Sequence, residues 1–205
     1  MMDGEITFES AFDAVRFALS YSVQQYGETL MCKRFGGPPL GSGMGLTGLD
    51  GAGQAGMIRR ALWELPDLYV AVLVARAAPR DTPCACGAAC CSKHRPNPEW
   101  QAVIAWLTEQ SAAHVGGFSH YQVRRAIIER IFGSHDDLKT IAQRCDVHRN
   151  TVGNHFAAVR LWLEGKRGRK GIQAQAGVID LAWQAIETKL SPLGILPVQE
   201  NAESK

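Results

Sequence analysis

Apolar residues in this chain recur in stripes at spacings of three and four, and no stretch of alternating polarity is long enough to argue for a sheet, so helices are expected. Over residues 8–30, Phe12, Val15, Leu19, Val23 and Tyr26 form the stripe of an amphipathic helix. Residues 57–78 repeat the pattern with Ile58, Leu62, Leu65, Leu68, Val72 and Ala75. Pro66, which has no amide hydrogen to donate, bends that segment or divides it into two helices. The period resumes from Glu99 to about Ala113 through Val103, Trp106 and Leu107. Gly116 and Gly117 end that helix, and Ser119 is placed to cap another over residues 121–132. A last helix is predicted over residues 178–190, with Ile179, Trp183, Ile186 and Leu190 on one face. The expected fold class is mainly α.

Two stretches interrupt the helical period. Residues 36–56 hold nine glycines together with Pro38 and Pro39, a density whose backbone entropy predicts a long loop or linker. Within it, Gly41-Ser-Gly-Met-Gly45 has some likeness to a phosphate-cradling loop. No strand precedes it and no Gly-Lys-Ser/Thr follows, so a partner-binding segment or linker is expected instead. The second interruption, residues 79–98, is rich in Pro and small residues and carries a cysteine cluster. The expected organisation is a helical module over residues 1–117, a second module over residues 118–190, and a loosely ordered tail over residues 191–205.

With 205 residues, 46% of them hydrophobic and 20% charged, the chain can bury a substantial core and is not a disordered polymer. No run of apolar residues reaches a membrane-spanning length, and the first ten residues carry acids where a secretion signal carries cations. A cytoplasmic protein without a membrane partner is expected. In that reducing compartment, clustered cysteines point to a metal before they point to disulfides.

The cluster runs Cys84-Ala-Cys86-Gly-Ala-Ala-Cys90-Cys91-Ser-Lys-His94, five soft ligands within 11 residues. Zinc takes four such donors at the corners of a tetrahedron. The preferred set is Cys84, Cys86, one or both of Cys90 and Cys91, and His94, with Gly87 and its neighbouring alanines letting the backbone curl around the ion. A structural Zn2+ knot that pins the flanking helices follows from this set; free thiols packed in a loop, or redox chemistry, are the alternatives. Glu99 is an acid near the cluster in sequence, but no metalloenzyme pattern places it as a general base, which gives a catalytic zinc little to work with. No Ser-His-Asp set, paired carboxylates on a helical face or HExxH motif is present, so an enzyme is not expected. Cys32 and Cys145 stand apart from the cluster and read as core residues.

Residues 138–163 carry the most specific pattern. Leu138, Ile141, Ala142 and Cys145 share one face of a short helix that Asp136 or Asp137 can cap. The small Ala142 lets a second helix cross closely, Asp146 tolerates the left-handed turn where Gly is usual, and Val147 fills the crevice. The second helix turns Val152, Phe156, Val159 and Leu163 inward. This is the spacing of a helix-turn-helix. His148, Arg149, Asn150, Thr151, Gly153 and Asn154 then occupy the turns that enter the major groove of DNA. Arg pairs in bidentate fashion with guanine and Asn with adenine, so the residue types suit base readout. His155 departs from the pattern by occupying a position that is often apolar, either packed against Trp162 or turned toward phosphate.

Charge supports the same element. Residues 121–170 hold 11 Lys and Arg against 5 Asp and Glu, a surplus of +6, while the rest of the chain carries −4. Lys166, Arg167, Arg169 and Lys170, just beyond the second helix, are expected to neutralise phosphates without reading sequence, and Arg124, Arg125 and Lys139 to do likewise.

The stretch RRAIIERIFGSHDDLKTIAQRCDVHRNTVGNHFAAVRLWLEG resembles the sigma-factor-like helix-turn-helix of phage regulators, and the "DLKTIA…HRNTV" pair is similar to the Q late-gene antiterminators of lambdoid phages. The likeness covers roughly a quarter of the chain. Some Q proteins carry a zinc-binding insertion between helices, and residues 84–94 are similar in place though not in the CxxC spacing. The resemblance implies a promoter-proximal DNA element, contact with RNA polymerase and its sigma factor, and readthrough of terminators, with base contacts on Arg149, Asn150 and Asn154. Two alternatives stand beside it. One is a dimeric helix-turn-helix repressor or activator, paired through residues 178–190 on a palindrome; the other is a non-enzymatic protein-interaction module that uses the same shape without DNA.

Overall fold

The computed structural model of the chain describes residues 8–24, 49–84, 86–89, 91–117, 120–168 and 173–197. It is mainly helical: α1 (Ala11–Gln24), α2 (Leu49–Trp63), α3 (Asp67–Ala77), α4 (Pro98–His114), α5 (Tyr121–Ile131), α6 (Leu138–Arg144), α7 (Arg149–Glu164) and α8 (Val178–Leu190). Two short ribbons accompany them, β1 (Asp81–Pro83) with β2 (His94–Pro96), and β3 (Gly165–Lys166) with β4 (Gln175–Ala176). Strands of two or three residues are too short to leave an alternating pattern in sequence, so they were not expected. No helix among the described residues is long and apolar enough to cross a membrane.

The chain forms two compact units, and neither is continuous in sequence. One comprises Met1–Pro66, Asp81–Arg95 and Trp183–Lys205; the other comprises Asp67–Arg80 and Pro96–Ala182. The boundary expected between residues 117 and 118 falls inside the second unit. The reason is local: Gly116 and Gly117, the latter at φ 75, close a tight turn rather than open a linker, and α4 packs against both α3 and α5.

In the first unit α1 buries Ala11, Ala14, Val15, Ala18 and Leu19 along one stripe and packs on α2 through Ile58 and Leu62. Arg59 of α2 ties the pair by donating to the carbonyls of Ala18 and Leu19. The expected glycine loop is thus shorter than predicted, because α2 begins at Leu49 and takes in Gly51, Gly53 and Gly56. Gly51 is buried, and packing on α1 overrides the poor helix propensity of three glycines. Residues 36–48 of that loop, with Cys32 before it, lie outside the described residues. Phe12 meets Trp183 of α8 with ring centroids 5.7 Å apart, and Lys189 pairs with Glu64 at 2.8 Å. The tail is ordered as far as Pro197: a 3-10 turn, Ser191–Leu193, leads to buried Ile195 and Leu196, and the Phe8 amide donates to the Ile195 carbonyl.

Pro66 separates α2 from α3. In the second unit α3 buries nearly its whole length, and the Trp100 indole of α4 donates to the Ala75 carbonyl at 3.1 Å. Asn97 caps α4 by accepting from the Glu99 amide, with Pro98 at the first helical position. The buried seam of α4 is Trp100, Ile104, Leu107, Thr108 and Ser111, whereas Val103 and Trp106 are only half-buried. The two hydroxyls on that seam are satisfied within the helix, Thr108 by the Ile104 carbonyl and Ser111 by the Thr108 carbonyl. His120 caps α5 by accepting from the Val123 amide; Ser119, expected in that role, lies outside the described residues.

Candidate functional site

The helices α6 and α7 are joined by four residues, 145–148, and the turn can be followed bond by bond. Asp137 opens α6 by accepting from the Thr140 amide at 2.6 Å; that amide, with the Thr140 hydroxyl, holds the Asp137 carboxyl below the usual carboxylate range. At the other end the Cys145 amide donates to Ile141, the Asp146 amide to Gln143 and the Val147 amide to Ala142. Asp146 sits at φ 51, the left-handed conformation that Asp tolerates better than most residues. His148 opens α7, its Nδ1 accepting from the Asn150 amide at 3.2 Å. Ile141 and Ala142 are buried on α6, as are Val152, Val159 and Leu163 on α7, while Leu138, Cys145, Val147 and Phe156 are half-buried. Helix α5 packs against both members of the pair.

On the outer side of α7 the expected contact residues His148, Arg149, Asn150, Thr151 and Asn154 are all exposed. Spacings of four put Arg149 with Gly153 and Asn150 with Asn154 on one face. The side chains of Arg149, Asn150, Thr151 and Asn154 form no hydrogen bond or ion pair among the described residues. Gly153 has no internal reason to be glycine, since a β-carbon there would meet nothing within 4 Å. Glycine inside a helix costs about 1 kcal/mol relative to alanine, and no packing contact offsets that cost here.

The cations divide into engaged and available groups. Arg124 is buried and donates to the Thr108 carbonyl at 3.2 Å. Arg125 bonds Glu129 and Gln101. Both were expected at a phosphate surface and instead hold α5 to its surroundings. Arg144 pairs with Asp136 at 2.7 Å and Arg160 with Glu164 at 2.6 Å. Arg130 donates to the Asp136 carbonyl and lies over the Phe156 ring. Lys139, Arg149, Lys166 and Arg167 are exposed and make no ion pair among the described residues. Arg169 and Lys170 lie outside the described residues. Trp162 stacks on His114 of α4, ring centroids 4.7 Å apart and planes 18° apart. Half-burial pushes the His155 imidazole below its usual value.

The caps formed by His120 and His148 escaped sequence reasoning, which favoured Ser and Asp at such places. The only signal was position, a histidine one residue ahead of a helical run, where a neutral Nδ1 acts as Asn does.

The cysteine segment is a hairpin held between β1 and β2. The Cys84 amide donates to the Lys93 carbonyl at 2.8 Å, Gly87 turns at φ 69 and Lys93 at φ 63. This path brings the sulfurs of Cys84, Cys86 and Cys91 within 4.8 Å of one another. The Lys93 amide donates to the Cys91 sulfur at 3.3 Å. The Ala88 amide, followed by the thiols of Cys91 and Cys84, pushes the Cys86 thiol down, and donation to Cys86 pushes the Cys91 thiol up. Sulfurs on a tetrahedral zinc stand about 3.8 Å apart, given Zn–S bonds of about 2.3 Å, so three soft donors at this separation can hold a metal ion. His94, an expected ligand, stands exposed on β2 and is not part of the group; Cys90 lies outside the described residues.

No family model matches this chain, and no curated protein sequence and no solved structure matches it either.

Proposed function

We propose that this chain is a sequence-specific DNA-binding transcription regulator that reads duplex DNA with α7, the second helix of a helix-turn-helix. One observation carries the proposal: the outer face of the first turns of α7 gathers Arg149, Asn150, Thr151 and Asn154, unpaired and exposed, around a glycine with no packing role. Such a face is costly to a helix and suited to base edges, with Arg149 reading guanine and Asn150 or Asn154 reading adenine. The turn at Asp146, closed over buried Ile141, Ala142 and Val152, is the support such a helix needs. Lys139, Lys166 and Arg167 supply phosphate contacts.

By resemblance to the Q antiterminators, the regulator acts on a promoter-proximal element together with RNA polymerase and its sigma factor. A dimeric repressor or activator is the second reading. Of the α8 helix assigned to its dimer contact, Ile186 and Leu190 are buried and Ile179 and Trp183 half-buried, which leaves exposed Leu181 on the side open to such a contact. The cysteine hairpin is proposed as a structural zinc site, with Cys84, Cys86 and Cys91 as three ligands and Cys90 or His94 as the fourth. A bound ion there folds the hairpin and takes no part in DNA chemistry.

The test is a selection of duplexes from a random pool by the full chain, followed by anisotropy titrations. Arg149→Ala is expected to cost about 1–3 kcal/mol on the selected duplex and little on random DNA. Equal losses on both remove the base-reading role, and binding without salt dependence removes the DNA reading altogether. Footprinting separates the two regulators: one asymmetric half-site favours the Q-like reading, a two-fold site the dimer.

A further inference from the structure

The ribbon β3–β4 starts where α7 stops, with no residue between Glu164 and Gly165. Its strands run antiparallel, Gly165 opposite Ala176 and Lys166 opposite Gln175. Two glycines lock it to the helix. A β-carbon on Gly165, at φ 71, would overlap the Gln175 carbonyl and the Gly177 amide; one on Gly177 would overlap the Leu163 carbonyl. Main chain therefore lies directly on main chain at this joint, beside the fully buried Leu163. A flexible basic tail needs no such mount.

What the mount presents is charge. From Gly165 to Ile179 the sequence contains no acid and four cations, Lys166, Arg167, Arg169 and Lys170. Among these Lys166 and Arg167 are described, exposed and unpaired, and Gly168 next to Arg167 leaves its approach open. The distance along α7 from its base-reading turns to Lys166 is about 20 Å at a rise of about 1.5 Å per residue. On one face of a duplex, the step from a major groove to the adjacent minor groove is half a turn, about 17 Å. The ribbon thus stands far enough from the base-reading turns to meet a part of the duplex that they do not cover.

We propose that the β3–β4 ribbon is a second DNA-reading element, which enters the minor groove beside the major groove occupied by α7 and inserts Arg167 there. This rests on the reading of α7 as the major-groove helix. The preferred flank is A·T-rich, because a narrow minor groove has the enhanced negative potential that draws in an arginine. The ribbon then contributes specificity through groove shape rather than affinity through phosphates alone.

The experiment uses a duplex selected from a random pool by the full chain. Adenines in the flank beyond the α7 site are replaced by 2,6-diaminopurine, which adds an amino group in the minor groove and leaves the major-groove edge of adenine as it was. Wild type is expected to lose about tenfold in affinity on the substituted duplex. Arg167→Ala is expected to lose about tenfold on the original duplex and nothing further on the substituted one, while Arg149→Ala remains sensitive to the flank. Arg167 is exposed, so an unchanged thermal melt accompanies the variant. Equal wild-type binding to both duplexes, with Arg167→Ala weaker on every duplex and a salt slope lower by about 0.9, reduces the ribbon to a phosphate contact and overturns the proposal. A selected pool without A·T preference in the flank overturns it as well. If Arg149→Ala binds as wild type, or no duplex is enriched, the reading of α7 has failed and the ribbon proposal falls with it.

Discussion

Among the described residues two turns hold a residue with a side chain in the left-handed region, Lys93 at φ 63 and Asp146 at φ 51, and they are stabilised by different physics. Around Asp146 the backbone closes over Ile141, Ala142 and Val152, all buried, so the local cost is offset by apolar packing. Around Lys93 there is no such packing: none of the described residues from 84 to 95 is buried. What remains is a main-chain bond between Cys84 and Lys93, amides aimed at sulfur, and three sulfurs within 4.8 Å of one another. A turn of the first kind survives wherever its helices survive. A turn of the second kind depends on the chemistry of its thiols.

That difference can be broken from either side. The largest effect belongs to Ile141→Ala, which removes a fully buried side chain under the α6–α7 turn and is expected to cost about 2–5 kcal/mol in denaturant unfolding. A cost under about 1 kcal/mol means the turn is not held by burial. Next comes the hairpin. Cys84→Ser with Cys86→Ser is expected to leave the urea midpoint of the helices in place while trypsin cleaves after Lys93 several-fold faster. Added Zn2+ protects the wild type and not the variant, and equal cleavage rates for the two proteins refute the thiol account.

Gly153→Ala comes third and sharpens the comparison, because it separates what packing wants from what a partner wants. The added β-carbon meets nothing, so stability rises by about 1 kcal/mol. On the proposed reading DNA affinity falls in the same variant; a variant that is both more stable and binds DNA as well as wild type leaves the glycine unexplained. The smallest effect is at Asp137→Ala, where loss of the α6 cap lowers the melting temperature slightly at neutral pH. The folded Asp137 carboxyl titrates below its unfolded value, so its stabilisation is present above the unfolded value and is lost as pH falls through the folded one. Wild type and variant therefore converge in acid, and a difference that persists there assigns the effect to something other than the charged cap.

The helices were legible in sequence wherever apolar residues alone form the seam. Helix α8 has the predicted ends, and Pro66 divides α2 from α3. In α4 the inner face includes Thr108 and Ser111, hydroxyls that bond their own helix and vanish from a count of apolar positions, so the expected face was displaced toward Val103 and Trp106. The start of α2 was hidden by its glycines, whose helical conformation comes from packing on α1 and not from propensity. The exposed face of α7 was legible because exposure follows directly from its period. The fate of the neighbouring arginines was not, since a charge count gives sign and not direction. Arg124 stands three and four residues before Ile127 and Ile128 on the inner side of α5, and that position marks it as buried.

The joint between α7 and β3–β4 has a genetic consequence. Because the atoms nearest to a β-carbon at Gly165 or Gly177 are all main-chain atoms, trimming a side chain elsewhere makes no room at either. Selection can vary the number and kind of cations that follow Lys166, and so, on the proposed reading, retune how strongly the ribbon holds DNA. Where the ribbon stands relative to α7 is not open to the same adjustment. Suppressors of a Gly165 or Gly177 lesion are expected to be true revertants.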